Sequence, residues 1–297
     1  MTKIKCFYHD DLDGKCSAAI VKNEFSEAEC SKINYGMEFD WASISPSDIV
    51  YMVDFGLQPF ANMEKLNKSC ELIWIDHHDT ALKEYKKSDA LIHGIRRNGT
   101  AGCELTWEWF HHTEWFHHTS FMPRCVKLLG SYDVWRDNES EQWKNEIMPF
   151  QYGMQSFSEE QLEPGSKLWS KMFDGASNNI NDLIEKGKAI VGFLDQYNID
   201  ACERNAFTIN WEGLSFTCLN TPHIGSFTVS NSFDKGVHDA MLVYRWNGDE
   251  YTFSLYTSKP GVHLGNIAKK YGGGGHPGAA GFALSKEEFK KAFKNIM

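Results

Sequence analysis

With 297 residues, 42% of them hydrophobic and 14% aromatic, the chain has material for one large or two medium domains with their own cores. A formal net charge of −10 argues against a protein that holds long duplex DNA by neutralising phosphates, although bound cations would reconcile it with a small anionic substrate. No apolar run approaches the roughly 18 residues of a bilayer span, and the eight cysteines are scattered without a C-x-x-C pair, so the expectation is a cytoplasmic protein away from membranes.

In chain order, KIKCFYHDDLDG (residues 3–14) is an apolar strand candidate that ends in acids and a glycine, and KCSAAIVKNEF then has helical composition. His9, Asp11 and Asp13 stand at every second position, so an extended segment would project all three to one side. Acids before a glycine also serve as turn or helix-capping residues, and the segment alone does not decide between the two uses. The strand-then-helix pattern recurs as DIVYMVDFG, running into Asp54, and LIWIDHH, running into Asp76, His77 and His78. Such alternation predicts a parallel sheet with helices on its faces. Ligands gather beyond the carboxyl ends of such strands, so these residues should share one rim.

Further along, EWFHHTEWFHHT (108–119) is a perfect tandem hexapeptide. Six residues advance a helix by about 600°, so the copies would face about 120° apart. A second metal site from His111, His112, His117 and His118 is conceivable, but a duplicated helical surface segment is the better reading. GSYDVWRDN contributes Asp133, which standing alone reads as a cap or turn residue. Residues 157–203 are polar, helix-compatible and without strand candidates. From about 205 the composition shifts to alternating strands, FTINWEGLSFTCLN and AMLVYRWNGDEYTFSLYTS, with NGDE as a turn. The division expected is 1–156, a helical connector 157–203, and a smaller domain 204–297. Near the C-terminus YGGGGHPGAAGF offers either a flexible hairpin or backbone N–H groups brought close to a phosphate.

Taken in order, H-x-D-x-D-G, an apolar strand ending in Asp, D-H-H, a further Asp, and GGGGH with A-A-G resemble the DHH phosphoesterase superfamily carrying its DHH-associated C-terminal domain. The likeness runs over nearly the whole chain. It implies an α/β fold: a parallel-sheet DHH domain with flanking helices, the connector, and a mixed α/β substrate-binding domain, with the active site in the interdomain cleft. It also implies two divalent ions, Mn²⁺ foremost with Mg²⁺ or Co²⁺ as alternatives. One would take His9, Asp11 and Asp54 and the other Asp13, Asp54, His77 and Asp133, with Asp54 bridging and a hydroxide between the ions as nucleophile. His78 would face the scissile phosphate as a charge stabiliser or proton donor, and Asp76 would orient a neighbouring ligand from outside.

By the same resemblance Gly273, Gly274, Gly275 and His276 would contact the far end of the substrate. Thr100 of NGTAG would line the site, with Arg96 and Arg97 as phosphate contacts. One departure stands out: relatives that cut short oligonucleotides usually carry an arginine and a serine before the glycine run, whereas this chain reads SLYTSKPGVHL. Tyr256 and Thr257 occupy that neighbourhood, leaving Lys259 or His263 as substitutes, because a lysine neutralises phosphate without bidentate geometry. The implied function is a Mn²⁺-dependent phosphodiesterase trimming short single-stranded RNA or DNA, similar to the nano-RNase and oligoribonuclease branch. The alternatives are a 3'-phosphoadenosine 5'-phosphate phosphatase, a cyclic dinucleotide phosphodiesterase, a polyphosphate hydrolase, and a non-catalytic metal or nucleotide binder. The assembly, including a homodimer, is left open.

Overall fold

A computed structural model describes residues 2–111, 121–174, 177–222 and 232–294. The chain divides into two compact units, residues 1–191 and 192–297.

The first unit is built on four parallel strands, β1 (Ile4–His9), β2 (Glu29–Ile33), β3 (Ile49–Val53) and β4 (Glu71–Ile75), in the order β2-β1-β3-β4. Residues of alternate parity feed two different cores. Cys6, Tyr8, Tyr51, Val53, Ile73 and Ile75 pack into one, and Phe7, Val50, Met52, Leu72 and Trp74 into the other. This two-faced burial explains why β3 and β4 read as unbroken apolar runs. Helices α1 (Leu12–Glu24), α4 (Gly102–His111) and α5 (Arg124–Asp133) supply the first core; α2 (Ala61–Ser69) and α3 (Asp79–Tyr85) supply the second. The segment 93–97 runs beside β4: Trp74 N donates to His93 O, Asp76 N to Ile95 O, and Arg97 N to Asp76 O.

Beyond α5 the chain is helical, with α6 (Met148–Gln155), α7 (Glu159–Leu162), α8 (Lys167–Phe173) and α9 (Ser177–Asn205), the last spanning 29 residues. The expected connector is therefore a run of helices. Glu108–His111 of the tandem hexapeptide form the last turn of α4, where the His111 ring stacks on Trp107 at 3.8 Å. His112, His117 and His118 lie outside the described residues.

The second unit carries a mixed sheet of β5 (Phe207–Trp211), β6 (Leu214–Asn220), β7 (Ala240–Trp246), β8 (Glu250–Tyr256), β9 (Gly274–Gly275) and β10 (Ala279–Ser285), in the order β5-β6-β7-β8-β10-β9. Among the described residues of this unit, only β6 and β7 pair in parallel. Helices α10 (Leu264–Lys270) and α11 (Lys286–Ala292) cover it, over a core that includes Trp211, Phe216, Phe253, Leu264 and Phe282. The NGDE turn is local chemistry: Asn247 Oδ1 accepts from the N–H groups of Asp249 and Glu250, and Gly248 takes a φ of 109°.

Candidate metal centre

Three strands end at one rim. His9 closes β1, Asp54 follows β3, and Asp76, His77 and His78 follow β4, all at carboxyl ends of parallel strands. The next helices bring the other acids: Asp11 caps α1 through Oδ1, which accepts from Gly14 N, Asp13 lies in the first turn of α1, and Asp133 is the last residue of α5. Capping and site placement thus coexist at Asp11, because its other oxygen, Oδ2, stands 2.8 Å from His9 Nδ1.

Asp54 is the hub. Its Oδ2 lies 3.7 Å from His9 Nδ1, while its Oδ1 lies 3.1 Å from His77 Nε2. His77 Nε2 is in turn 3.7 Å from Asp13 Oδ2 and 3.3 Å from Asp133 Oδ2. Three groups of potential ligand atoms result: His9, Asp11 and Asp54; Asp13, His77 and Asp133; and Asp54, His77 and His78. Asp54 is 1% exposed and sits at φ 54°, a left-handed conformation that costs a non-glycine residue about 1 kcal/mol or more and recurs at functional sites.

These residues fit divalent cations on their own geometry. Both oxygens of Asp54 and Nδ1 of His9 are buried and form no hydrogen bond, although nitrogen and oxygen neighbours stand within 4 Å. Lone pairs that converge without hydrogen-bond alignment point at a shared centre, and a mixed imidazole and carboxylate donor set suits a first-row divalent ion.

Electrostatics say the same. Burial works against a charge on His9 and on His77, yet Asp11 and Asp54 around the first, and Asp54, Asp133 and Asp13 around the second, raise both to about 11. Burial also raises Asp54, but His77 and His9 outweigh it and hold the carboxyl below the usual carboxylate range. Burial together with the Asp54 and Asp133 charges pushes Asp13 well up, and Asp133 is raised to about 7, chiefly by loss of hydration. Such crowding of acids is what bound cations relieve.

Asp76 is fully buried and works one layer behind. Its Oδ1 accepts from the N–H groups of His77 and His78 and stands 2.8 Å from His78 Nδ1. With Nδ1 held in this way, any role of His78 toward a substrate falls to Nε2.

No residue pattern signals the supports of Asp13. Its carboxylate accepts from Gly102 N (2.7 Å) and Cys103 N (2.8 Å), the first N–H groups of α4. Glycine is required at 102, where a Cβ would lie 2.6 Å from Asp54 Cβ. Buried Glu104 accepts from Ala101 N and forms a two-point pair with Arg136, 2.8 and 2.7 Å; Arg136 also donates to Ser131 Oγ, so α4 is tied to the end of α5 beside Asp133.

The basic groups singled out earlier have other engagements. Arg96 donates to the carbonyls of Trp74, His93 and Ile92 and lies over Tyr85 and Trp74, bracing the 93–97 segment. Arg97 pairs with Glu108 and donates to Thr100 Oγ1. In the second unit, Lys259 Nζ pairs with Asp239 at 2.5 Å. Gly274 and Gly275 form β9 against β10, and His276 N donates to Ala279 O. A Cβ at Gly273 would lie 2.0 Å from Gly281 O, so this glycine serves strand packing, whereas nothing stands within 4 Å of such an atom at Gly274.

Residues 3–129 match the DHH family N-terminal domain and residues 228–297 the DHHA1 domain. On this pairing the chain belongs to the DHH phosphoesterase superfamily, and its Asp/His clusters suit divalent metal ions. It is 24% identical over 245 residues to an uncharacterized protein of Acanthamoeba polyphaga mimivirus, a match covering 80% of this chain and 53% of the relative; the chain spans about half the length of that curated relative. Among solved structures it is similar to the pGpG-specific phosphodiesterase PggH from Vibrio cholerae, with a TM-score of 0.55 at 13% identity over 98% of this chain and 97% of that one. It is also similar to an exopolyphosphatase-related protein from Bacteroides fragilis, with a TM-score of 0.53 at 16% identity over 98% and 90%. At these identities the likeness is one of fold.

Proposed function

We propose that the protein is a Mn²⁺-dependent phosphodiesterase that hydrolyses short single-stranded oligonucleotides, as the nano-RNase branch of its superfamily does. The observation that carries the reading is Asp54, whose two oxygens face different clusters, His9 with Asp11 on one side and His77 with Asp13 and Asp133 on the other. Two divalent ions held by these residues would supply a water acidified enough to attack at neutral pH, together with positive charge for the phosphoryl oxygens.

The chain's own residues complete the chemistry. His9, Asp11 and Asp54 would hold one ion, and Asp13, Asp54, His77 and Asp133 the other. Asp76 fixes His78 through Nδ1, so that Nε2 serves the leaving oxygen as donor. Asp54, Asp13 and His77 are buried, which keeps bulk water from competing for their lone pairs. The glycine run contributes backbone N–H groups to the distal phosphate, foremost at Gly274, with His276 beside it. Thr100 lines the site. Arg96 and Lys259 reach phosphate only by giving up the partners described above.

The fold neighbour named for pGpG acts on a dinucleotide, which supports a substrate of that size here. Product analysis tests the proposal. Purified protein with Mn²⁺ is offered dinucleotides and short RNA and DNA oligomers, a long single strand, 3'-phosphoadenosine 5'-phosphate, cyclic dinucleotides and polyphosphate. Conversion of the short oligomers to mononucleotides, abolished by His78→Ala, is the expected result. Turnover confined to one of the other substrates would move the function to that substrate while keeping the metal chemistry.

A further inference from the structure

The loop after β2 places one aromatic ring where core packing does not explain it. Tyr35 is 45% exposed, yet it is not a loose surface side chain. Its ring packs against that of buried Phe55, tilted by 41° with 4.8 Å between centroids, and Phe55 directly follows the hub residue Asp54. The His9 ring stands edge-on to Tyr35 at 5.9 Å and the His78 ring at 6.3 Å. A tight turn presents it: Met37 N donates to Asn34 O, with Gly36 at φ 87°. Scattered exposed aromatics are ordinary on protein surfaces. A ring fixed from below and flanked by two histidines of a carboxylate-lined rim is a different case, because a flat apolar face sits beside a site otherwise made for charge.

We infer that Tyr35, supported by Phe55, is the stacking platform for the nucleobase adjoining the scissile phosphate. The inference rests on the reading of the rim as a phosphodiesterase centre and deepens it by naming what selects the substrate. A nucleoside whose phosphate sits on the rim carries its base one sugar away, and the Tyr35 ring stands beside that rim, 5.9 Å from the His9 ring and 6.3 Å from the His78 ring. Stacking on an aromatic face tolerates any base, so the platform selects for nucleotides over base-free phosphoesters without reading sequence. The role belongs to the ring and not to the hydroxyl.

The test compares a dinucleotide with its abasic counterpart, using wild-type protein and the Tyr35→Ala, Tyr35→Phe and Tyr35→Trp variants, all loaded with Mn²⁺. The wild type should favour the base-bearing substrate through KM. Tyr35→Ala should raise that KM about tenfold, collapsing the preference, while Tyr35→Phe and Tyr35→Trp retain it. An unchanged preference in Tyr35→Ala, or a Tyr35→Phe variant as impaired as Tyr35→Ala, overturns the platform. So does loss of Mn²⁺ binding in Tyr35→Ala, which would make the ring a support for His9. If the wild type hydrolyses neither substrate, the phosphodiesterase reading fails, and calorimetry with a nucleoside 5'-monophosphate against ribose 5-phosphate still decides the platform. Tighter binding of the nucleotide, lost in Tyr35→Ala and kept in Tyr35→Phe, supports it; equal binding overturns it.

Discussion

Asp54 shows how much one residue concentrates: a strand end, a left-handed backbone, and two oxygens aimed at separate ligand groups. His78 is its complement, held through Nδ1 by Asp76. His78→Ala should therefore lower kcat by about 10²–10⁴-fold while Mn²⁺ affinity stays near that of the wild type, a separation read by combining kinetics with calorimetry. Protonation supplies a second residue-scale prediction. His9 and His77, raised to about 11 in the ion-free protein by their carboxylate neighbours, hold protons at neutral pH that an arriving cation must displace. Asp133, raised to about 7, adds a proton over the lower part of the range. Protons compete with metal, so loading should release protons and apparent affinity should climb with pH through neutrality. Calorimetry in buffers of different ionisation enthalpy measures the release. The strand-end residues were legible because a polar trio after an apolar run has no use inside a sheet. The backbone strain at Asp54 and the double use of Asp11 were not, because both depend on where neighbouring strands lie.

At the scale of elements, the centre is held by the way α4 and α5 are tied together. The N-terminus of α4 grips Asp13, and the Glu104–Arg136 pair joins that turn to the end of α5 next to Asp133. Arg136→Met should therefore weaken the ion on Asp13, His77 and Asp133 by about 10–100-fold, the usual effect of removing a support behind metal ligands. The ion on His9 and Asp11 should be affected less, and a two-step Mn²⁺ titration separates the two. Gly102→Ala should disturb both ions and lower Tm, since its new Cβ would press on Asp54. None of this was visible in the sequence. Glu104 and Arg136 lie 32 positions apart with no pattern linking them, and only the fold makes them neighbours. Arg96 teaches the converse. A basic residue near a phosphate motif looks available on paper, but three backbone carbonyls hold its guanidinium. By contrast, the NGDE turn and the strand pattern around it were readable because their hydrogen bonds are local.

For the whole molecule, the parallel sheet was legible from the strand-then-helix alternation of the first half, whereas the mixed sheet followed only from the resemblance, because the pairing of its strands depends on long-range contacts. The tandem hexapeptide beyond His111 lies outside the described residues. With the chain at a net charge of −10, the proposed phosphate substrate would need bound cations to attract it. Chelation should abolish nucleotide binding as well as turnover, and saturating Mn²⁺ should raise Tm, since an ion at a hundred times its Kd adds about 2.7 kcal/mol to stability.

Whether two ions share Asp54 can be read from electron paramagnetic resonance of the Mn²⁺-loaded protein. Two ions per chain with the exchange-coupled spectrum of a bridged pair, lost in Asp54→Asn, are expected. A single ion, or two ions without coupling, would contradict the shared Asp54.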